Sequence, residues 1–395
     1  MRKLIFLISL VLAIAVLISP PVQAASLNSC VAKLKKRVIR AGVPASVAKK
    51  ALTGVKYDEK AVRFSRSQPE FRTPIWDYMA FLVDQERIDT GLAMLKKHNK
   101  TLRAVEKAYG VDRYILAALW GIESDYGRRR GNFYIPHGLA NVICAGRKVK
   151  FLSNELVHAL RLVGRGDLAL NDLQGSWAGA FGQTQFLPST YTRLAVDFNG
   201  DGRRDLVNSV PDALASAANF LRKAGWRTGR AWGFEVKLPK RYRGASGRKR
   251  RASLNRWATR GLTRIDGKKL KGKASAGLLL PAGKKGPAFL VFKNFDALFS
   301  YNAAESYALS ISHLADRLKG GKPFKTSFPT NDPGLSRKQR LELQKLLIKA
   351  GYDIGEADGR IGPVTIRALK KAQKKAGMKP DGRPGTKIYR ALGGK

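Results

Sequence analysis

Between Leu27 and about Leu221, apolar side chains recur every three or four residues. "SLNSCVAKLKKRVIRAGV", "TGLAMLKKHNKTLRAVEKAYGV" and "FLSNELVHALRLVGRG" carry this period, and several such runs close on glycine. That pattern predicts amphipathic helices. From Trp232 to Phe292 the period is lost. "WGFEVKLP", "AGLLLPAG" and "PAFLVF" are short apolar runs set between Gly, Pro and Lys, which predicts a small β-rich subdomain over 232–292. Helix returns at "AAESYALSISHLADRLKG". The Pro-, Gly- and polar-rich stretch that follows reads as a linker over 321–335. The rest, 336–395, reads as a compact unit in which helical stretches surround "DGRIGP" and "PDGRPG". These two DG turns give a weak internal echo. The predicted class is α+β, mostly helical: a principal domain over 25–320 and a C-terminal three-helix module.

The first residues depart from this pattern. Arg2 and Lys3 precede an apolar run from Leu4 to Ile18, which "SPPVQAAS" ends. The run is short for a membrane span, which needs about 20 residues. It has the form of an export signal over 1–24, with the small residues Val22 and Ala24 placed for cleavage; an uncleaved anchor is the alternative. Nothing later is long and apolar enough to span a bilayer. Export changes the reading of the two cysteines, Cys30 and Cys144. In an oxidising compartment such a pair forms one disulfide, the alternative being two unpaired thiols. Neither has a neighbour at metal-ligand spacing.

The chain of 395 residues is 44% hydrophobic, as a folded protein is, and carries a net charge of +45. A field of that size attracts polyanions. For an exported chain, anionic wall or envelope polymers fit better than nucleic acid, and loose association with an anionic membrane surface is compatible with it. The basic clusters "GRKRR" (Gly247 to Arg251) and Lys268 to Lys273 have no interleaved aromatics. They read as solvated loops rather than a base-stacking surface.

Within this frame, "WGIESDYGRRRGNF" (Trp120 to Phe133) sets one acid at the end of an uncharged run. Leu116, Trp120 and Glu123 share a helix face, so the carboxylate lies among apolar side chains. Apolar surroundings and the negative end of a helix both raise a carboxyl pKa, as a general acid near neutral pH requires. The alternative is an ion pair with one of Arg128 to Arg130. Downstream, "GSWAGAFGQTQFLPSTY" combines glycines, glutamines and aromatic rings. This mixture of flat apolar faces and amide edges suits a carbohydrate; a tight helix–loop junction is the alternative.

Together these segments resemble the lytic transglycosylases of the membrane-bound B type, glycoside hydrolase family 103. The resemblance runs in order through "QPEFRTPIWDYM", "YGVDRYILAALWGIESDYG", "GSWAGAFGQTQFLPSTY", "AVDFNGDGRRDL", "SVPDALASAANFLRKAGW" and "FSYNAAESYALSISHLADRL", about Leu27 to Leu318. The tail, with "LQKLLIKAGYDIGEADGRIGPVT", resembles the first peptidoglycan-binding domain family. The resemblance implies a lysozyme-like domain that cleaves the MurNAc–GlcNAc bond of peptidoglycan, with glycan strands and stem peptides as partners. It implies Glu123 as the sole acid/base. The matching sugar-site residues are Tyr78, Ser176, Gln185, Tyr301 and Asn302, with Tyr307 nearby. Phe220 stands where the family has a site tyrosine; it keeps the ring and lacks the hydroxyl that would bond the sugar. Family chemistry closes the substrate's C6 hydroxyl onto C1 and leaves a 1,6-anhydro sugar, with no cofactor required. A water-using muramidase and a non-catalytic basic wall-binding protein are the competing readings. A monomer in the periplasm is expected.

"DFNGDGRRDLVN" matches the start of an EF-hand loop, with Asp197, Asn199 and Asp201 at the first, third and fifth places and Gly202 at the turn. The twelfth place holds Asn208. The resemblance suggests that a later aspartate, Asp212, closes the set, with the Arg203 carbonyl at the seventh place. A structural calcium ion is expected here, and a metal-free Asx-turn loop is the alternative.

Overall fold

The computed structural model describes residues 21–66 and 73–395. The charged start and apolar run of the expected export signal lie outside the described residues, as does all of "QPEFR". Among the described residues, no helix is long and apolar enough to cross a membrane.

Two helical cores flank the site. In the first, the helices Pro21–Arg40, Ala45–Leu52, Ile135–Cys144 and Val149–Gly164 pack through Leu34, Val38, Leu52, Leu139, Leu156 and Leu160. A disulfide joins Cys30 to Cys144 across this core. The second core forms around the helix Arg113–Ser124, whose Ile115, Leu116, Leu119 and Trp120 are buried against the helices Val210–Lys223 and Glu305–Leu318. The long run after Gln85 is two helices, Gln85–Lys97 and Asn99–Tyr109, meeting at His98. Each half buries its own apolar pair, Ile88 with Gly91 and Leu102 with Val105, so one straight axis does not serve both.

Phe133–Tyr134 (β1) and Gln174–Gly175 (β2) make a short antiparallel ribbon beside the site. The later strands are Gly233–Lys237 (β3), Gly247–Ser253 (β4), Thr263–Arg264 (β5), Ser275–Leu279 (β6) and Ala288–Val291 (β7). They form one antiparallel sheet in the order β4-β6-β7-β3-β5. The "GRKRR" stretch is therefore the edge strand β4 and not a solvated loop. Its charges divide between two environments across a register shift. Arg248 and Arg251 bind Asp296 at 2.6 and 2.7 Å, and Arg248 also lies over the Phe299 ring at 3.8 Å. Lys249 and Arg250 are exposed, which disfavours edge-to-edge pairing with another chain.

The segment 321–335 has no regular structure but is fixed to the principal domain. Phe324 stacks on His313 at 3.8 Å, and the amides of Lys325 and Thr326 donate to Glu235. The C-terminal module packs the helices Arg337–Lys349, Pro363–Lys375 and Thr386–Ala391 around Leu343, Leu347, Leu369 and Ile388. The two DG turns are built alike. Gln344 accepts from the Gly359 amide and donates to Asp358 and the Arg360 carbonyl. Gln373 does the same for Gly382, Asp381 and the Arg383 carbonyl.

The module is docked through buried and partly buried ion pairs. Arg383 grips Asp77 with two bonds of 2.6 Å, and it also bonds Asp332. Arg337 reaches Asp84 at 2.9 Å and Asp125 at 2.7 Å.

Candidate active site

Glu123 is the last residue but one of the helix Arg113–Ser124. The helix starts where Asp112 accepts from the Tyr114 amide. It stops because Asp125, Tyr126 and Gly127 all take left-handed backbone angles, with φ of 53°, 60° and 84°. This turn folds the Tyr126 ring back onto the helix, so close that a Cβ at Gly121 would lie 2.6 Å from it. Gly121 is thus required by contact and not by its own torsion. The turn also separates the two neighbouring acids. Asp125 is buried among cations, with Arg337 at 2.7 Å, Arg128 at 2.9 Å and Arg87 at 3.7 Å. The arginines considered as ion-pair partners of Glu123 are committed elsewhere: Arg128 and Arg129 face Asp125, and Arg130 donates to the Val207 carbonyl.

Glu123 is half-buried and accepts a hydrogen bond from the Tyr307 phenol. Burial, and then the nearby Glu123 charge, push Tyr307 well above its usual pKa. It therefore remains a donor across the physiological range and fixes the carboxylate. Tyr301 stacks on Tyr307 with centroids 6.3 Å apart and donates to the Thr184 carbonyl at 2.7 Å. It too is pushed well above its usual pKa by burial and by Glu123. Phe220 packs on Tyr301 at 4.7 Å, and Phe186 closes the row.

A cavity of about 650 Å³ opens at Glu123. Tyr78, Asn302 and Tyr307 line it on one side, and Arg360, Asp381 and Arg383 of the C-terminal module line it on the other. Ser176, Gln185, Tyr301 and Phe220 do not line this cavity; they shape the elements behind and beside it. Ser176 accepts from the Ala180 amide at 3.0 Å inside the glycine-rich loop. Gln185 has φ of 50° and donates to the Arg130 and Gly182 carbonyls. Two further carboxylates line the cavity, and both are engaged: Asp77 with Arg383, and Asp381 with Gln373 and the Arg383 amide.

Gln183, two residues before Gln185, does more of the local building than the sequence reveals. It accepts from the Trp120 indole at 2.9 Å, and its carbonyl accepts from the Ser124 hydroxyl at 2.5 Å. Its backbone amide donates to the Leu206 carbonyl at 2.8 Å and its side-chain amide to the Val207 carbonyl at 3.3 Å. It thus pins the end of the Glu123 helix to the glycine-rich loop and to the acidic loop. Gln183 escapes the sequence reading, which singles out Gln185, because its partners Trp120 and Ser124 lie about 60 residues earlier.

The acidic loop gathers oxygens of Asp197, Asp201 and Asp212 within 4.8 Å of one another. Asp197 accepts from the Gly200 and Gly202 amides, and Asn199 donates to Asp201. That bond, followed by the Arg203 amide, lowers the Asp201 pKa. Asp212, fully buried, accepts from the Phe198, Asn199 and Asp205 amides. Arg204 turns away to Asp167 at 2.7 Å, so it does not oppose a cation. An oxygen-only donor set of this charge fits a hard divalent cation.

A helical fold with its acid at a helix end, beside a short ribbon, is of the lysozyme-like class. The chain belongs to the transglycosylase SLT domain family, which it matches over residues 26–316. Residues 336–392 match a putative peptidoglycan binding domain. It is 30% identical over 266 residues to the membrane-bound lytic murein transglycosylase B of Escherichia coli, covering 65% of this chain and 71% of that one. Among solved structures, SltB3 from Pseudomonas aeruginosa in complex with NAG-anhNAM-pentapeptide is similar at a TM-score of 0.74 and 39% identity, covering 93% of this chain and 99% of that one. The Escherichia coli lytic transglycosylase Slt35 in complex with calcium is similar at a TM-score of 0.64 and 26% identity, covering 74% and 92%.

Proposed function

We propose that this chain is an exported lytic transglycosylase that cleaves the MurNAc–GlcNAc bond of peptidoglycan, with Glu123 as acid and then base. One observation carries the assignment of roles: each other carboxylate lining the Glu123 cavity is engaged by its own partners. In the first step the Glu123 carboxyl protonates the glycosidic oxygen and the C1–O bond breaks. The substrate's N-acetyl carbonyl stabilises the positive C1. In the second, the Glu123 carboxylate takes the proton of the C6 hydroxyl as O6 bonds to C1. The proton is returned, no water is consumed, and a 1,6-anhydro end results. Tyr307 orients the carboxylate, while Tyr78 and Asn302 line the sugar site. Ser176, Gln185, Tyr301 and Phe220 hold its walls. A relative bound to an anhydro sugar supports the product.

The envelope location rests on the export signal over 1–24, and a periplasmic monomer is the proposed state. The C-terminal module engages the wall polymer, and nucleic acid is not a partner. Mass spectrometry of the supernatant after incubating the full chain with purified peptidoglycan tests the enzyme reading. Soluble muropeptides are expected. Binding to the wall without release would leave a non-catalytic wall-binding protein.

Calcium is proposed at Asp197, Asn199, Asp201, the Arg203 carbonyl and Asp212, in a structural role. A calcium-bound relative supports it. Because the far end of the loop, at Leu206 and Val207, receives Gln183 and Arg130, the ion would stiffen the support of the catalytic helix. Ligand at 100 times its Kd stabilises a folded protein by about 2.7 kcal/mol. Melting is accordingly expected to rise between chelator and millimolar calcium, with cleavage retained in chelator. An unchanged melting temperature would count against the site, and lost cleavage would count against a purely structural role.

A further inference from the structure

Two basic stretches that the glycan-cleaving cleft leaves unused meet at a second cavity, of about 630 Å³. Arg251 comes from β4, and Lys273 from the lysine-rich approach to β6. Arg227 and Arg230 come from the loop after the helix Val210–Lys223, and Lys293 begins the helix Lys293–Asn302. No carboxylate lines this cavity. Asp296 binds Arg251 at 2.7 Å and reaches Lys293 at 3.8 Å. No ion pair among the described residues uses Arg227, Arg230 or Lys273. Three cations from two separate segments are therefore directed to one space without a protein counter-charge.

The site is organised in advance. Asn294, 1% exposed, accepts from the Arg227 amide at 2.7 Å and donates to the Arg227 and Arg230 carbonyls at 2.9 and 2.6 Å. It holds the arginine loop on the helix, and Gly229, with φ of 68°, makes the turn between them. Lys293 and Asn294 open a helix of ten residues, and the amides of these first two residues lie at the positive end of its dipole, while the Phe295 amide is taken by the Phe292 carbonyl. The same helix ends at Asn302, about 13 Å away by helical rise, so this cavity and the Glu123 cleft are distinct.

We infer that this cavity is a binding site for a multiply charged phosphate group. Guanidinium forks and helix-start amides match phosphate oxygens. A phosphomonoester carries about −1.5 to −2 near neutral pH, so one or two phosphates balance the uncommitted cations. The group is either a free phosphate compound or a phosphate borne on an envelope polymer. The inference does not depend on the transglycosylase reading.

Calorimetric titration of the full chain with inorganic pyrophosphate at physiological ionic strength tests it. One saturable site is expected. The double variant Arg227→Gln with Arg230→Gln is expected to weaken it about ten-fold or more, since each charge-assisted bond is worth a comparable factor. A control, Lys345→Gln with Lys349→Gln, removes the same charge from the C-terminal module and is expected to change affinity by no more than about two-fold, because screening shortens the general field. Peptidoglycan cleavage is expected to be unchanged in the Arg227/Arg230 variant. Displacement of pyrophosphate by poly(glycerol phosphate) would support the site and assign a polymer-borne ligand; no displacement, with pyrophosphate bound as expected, would support it and assign the free compound. Absence of saturable binding, equal weakening in the control, or equally tight binding of tricarballylate would overturn the inference.

Discussion

Glu123→Gln is expected to give a folded protein that releases almost no muropeptides from peptidoglycan. The amide has the shape of the carboxyl and still accepts from Tyr307, so the row of Tyr307, Tyr301 and Phe220 keeps its packing. What is lost is a titrating proton. General acid–base catalysis alone is worth about 100- to 10,000-fold, and both steps of the proposed reaction pass through this one group. The check is an initial rate of soluble product release beside a melting curve. A near-parental rate with an unchanged melting curve would remove Glu123 from the chemistry.

The second large effect is expected away from the substrate. Arg337→Ala should lower stability by about 3–5 kcal/mol, the usual result of breaking a buried ion pair from one side. Arg337 is the first residue of the module's first helix, and its side chain is 6% exposed. It binds Asp84, which is itself buried, and Asp125, two residues past Glu123. Truncation leaves both carboxylates in the interior with Arg87 as their remaining buried cation. The pH dependence has a definite sign. Burial alone would raise the Asp84 pKa, but the Arg337 hydrogen bond and charge, with the Arg87 amide, hold it below the usual value. A depressed carboxyl stabilises the fold above its unfolded pKa of about 3.9, and the contribution is lost as pH falls through the lower folded pKa. The parent's acid sensitivity from this group therefore lies below about pH 4, and the variant should show less of it. Urea unfolding at neutral and acid pH, with limited proteolysis of 321–335, measures both. Equal stability and equal protease resistance would show that Arg337 does not hold the module.

Much of this architecture is legible in the sequence because it rests on local pattern. The three- and four-residue period marks the helices, short apolar runs mark the sheet, and an acid ending an uncharged run marks Glu123. Other features depend on partners far along the chain. Nothing near Arg337 or Arg383 shows that they bind Asp84 and Asp77, more than 250 residues earlier. Charge content likewise does not show that "GRKRR" is a strand, since that depends on Asp296 and on pairing with β6. The bracing role of Gln183 depends on the distant Trp120 indole and Ser124 hydroxyl, and the break at His98 depends on how the two halves of one run pack into the same core.

The most direct test of the proposed chemistry is the fate of solvent oxygen. An inverting hydrolase needs a second carboxylate about 6.5–9.5 Å from the acid, and a retaining one needs a nucleophile about 5–5.5 Å away. Here Asp125 is enclosed by Arg337, Arg128 and Arg87, and Asp197 is occupied in the acidic loop. Purified peptidoglycan digested by the full chain in ¹⁸O-labelled water should yield unlabelled 1,6-anhydro-MurNAc ends, lighter by one water than reducing ends. Labelled reducing ends would contradict this and would make the enzyme a muramidase.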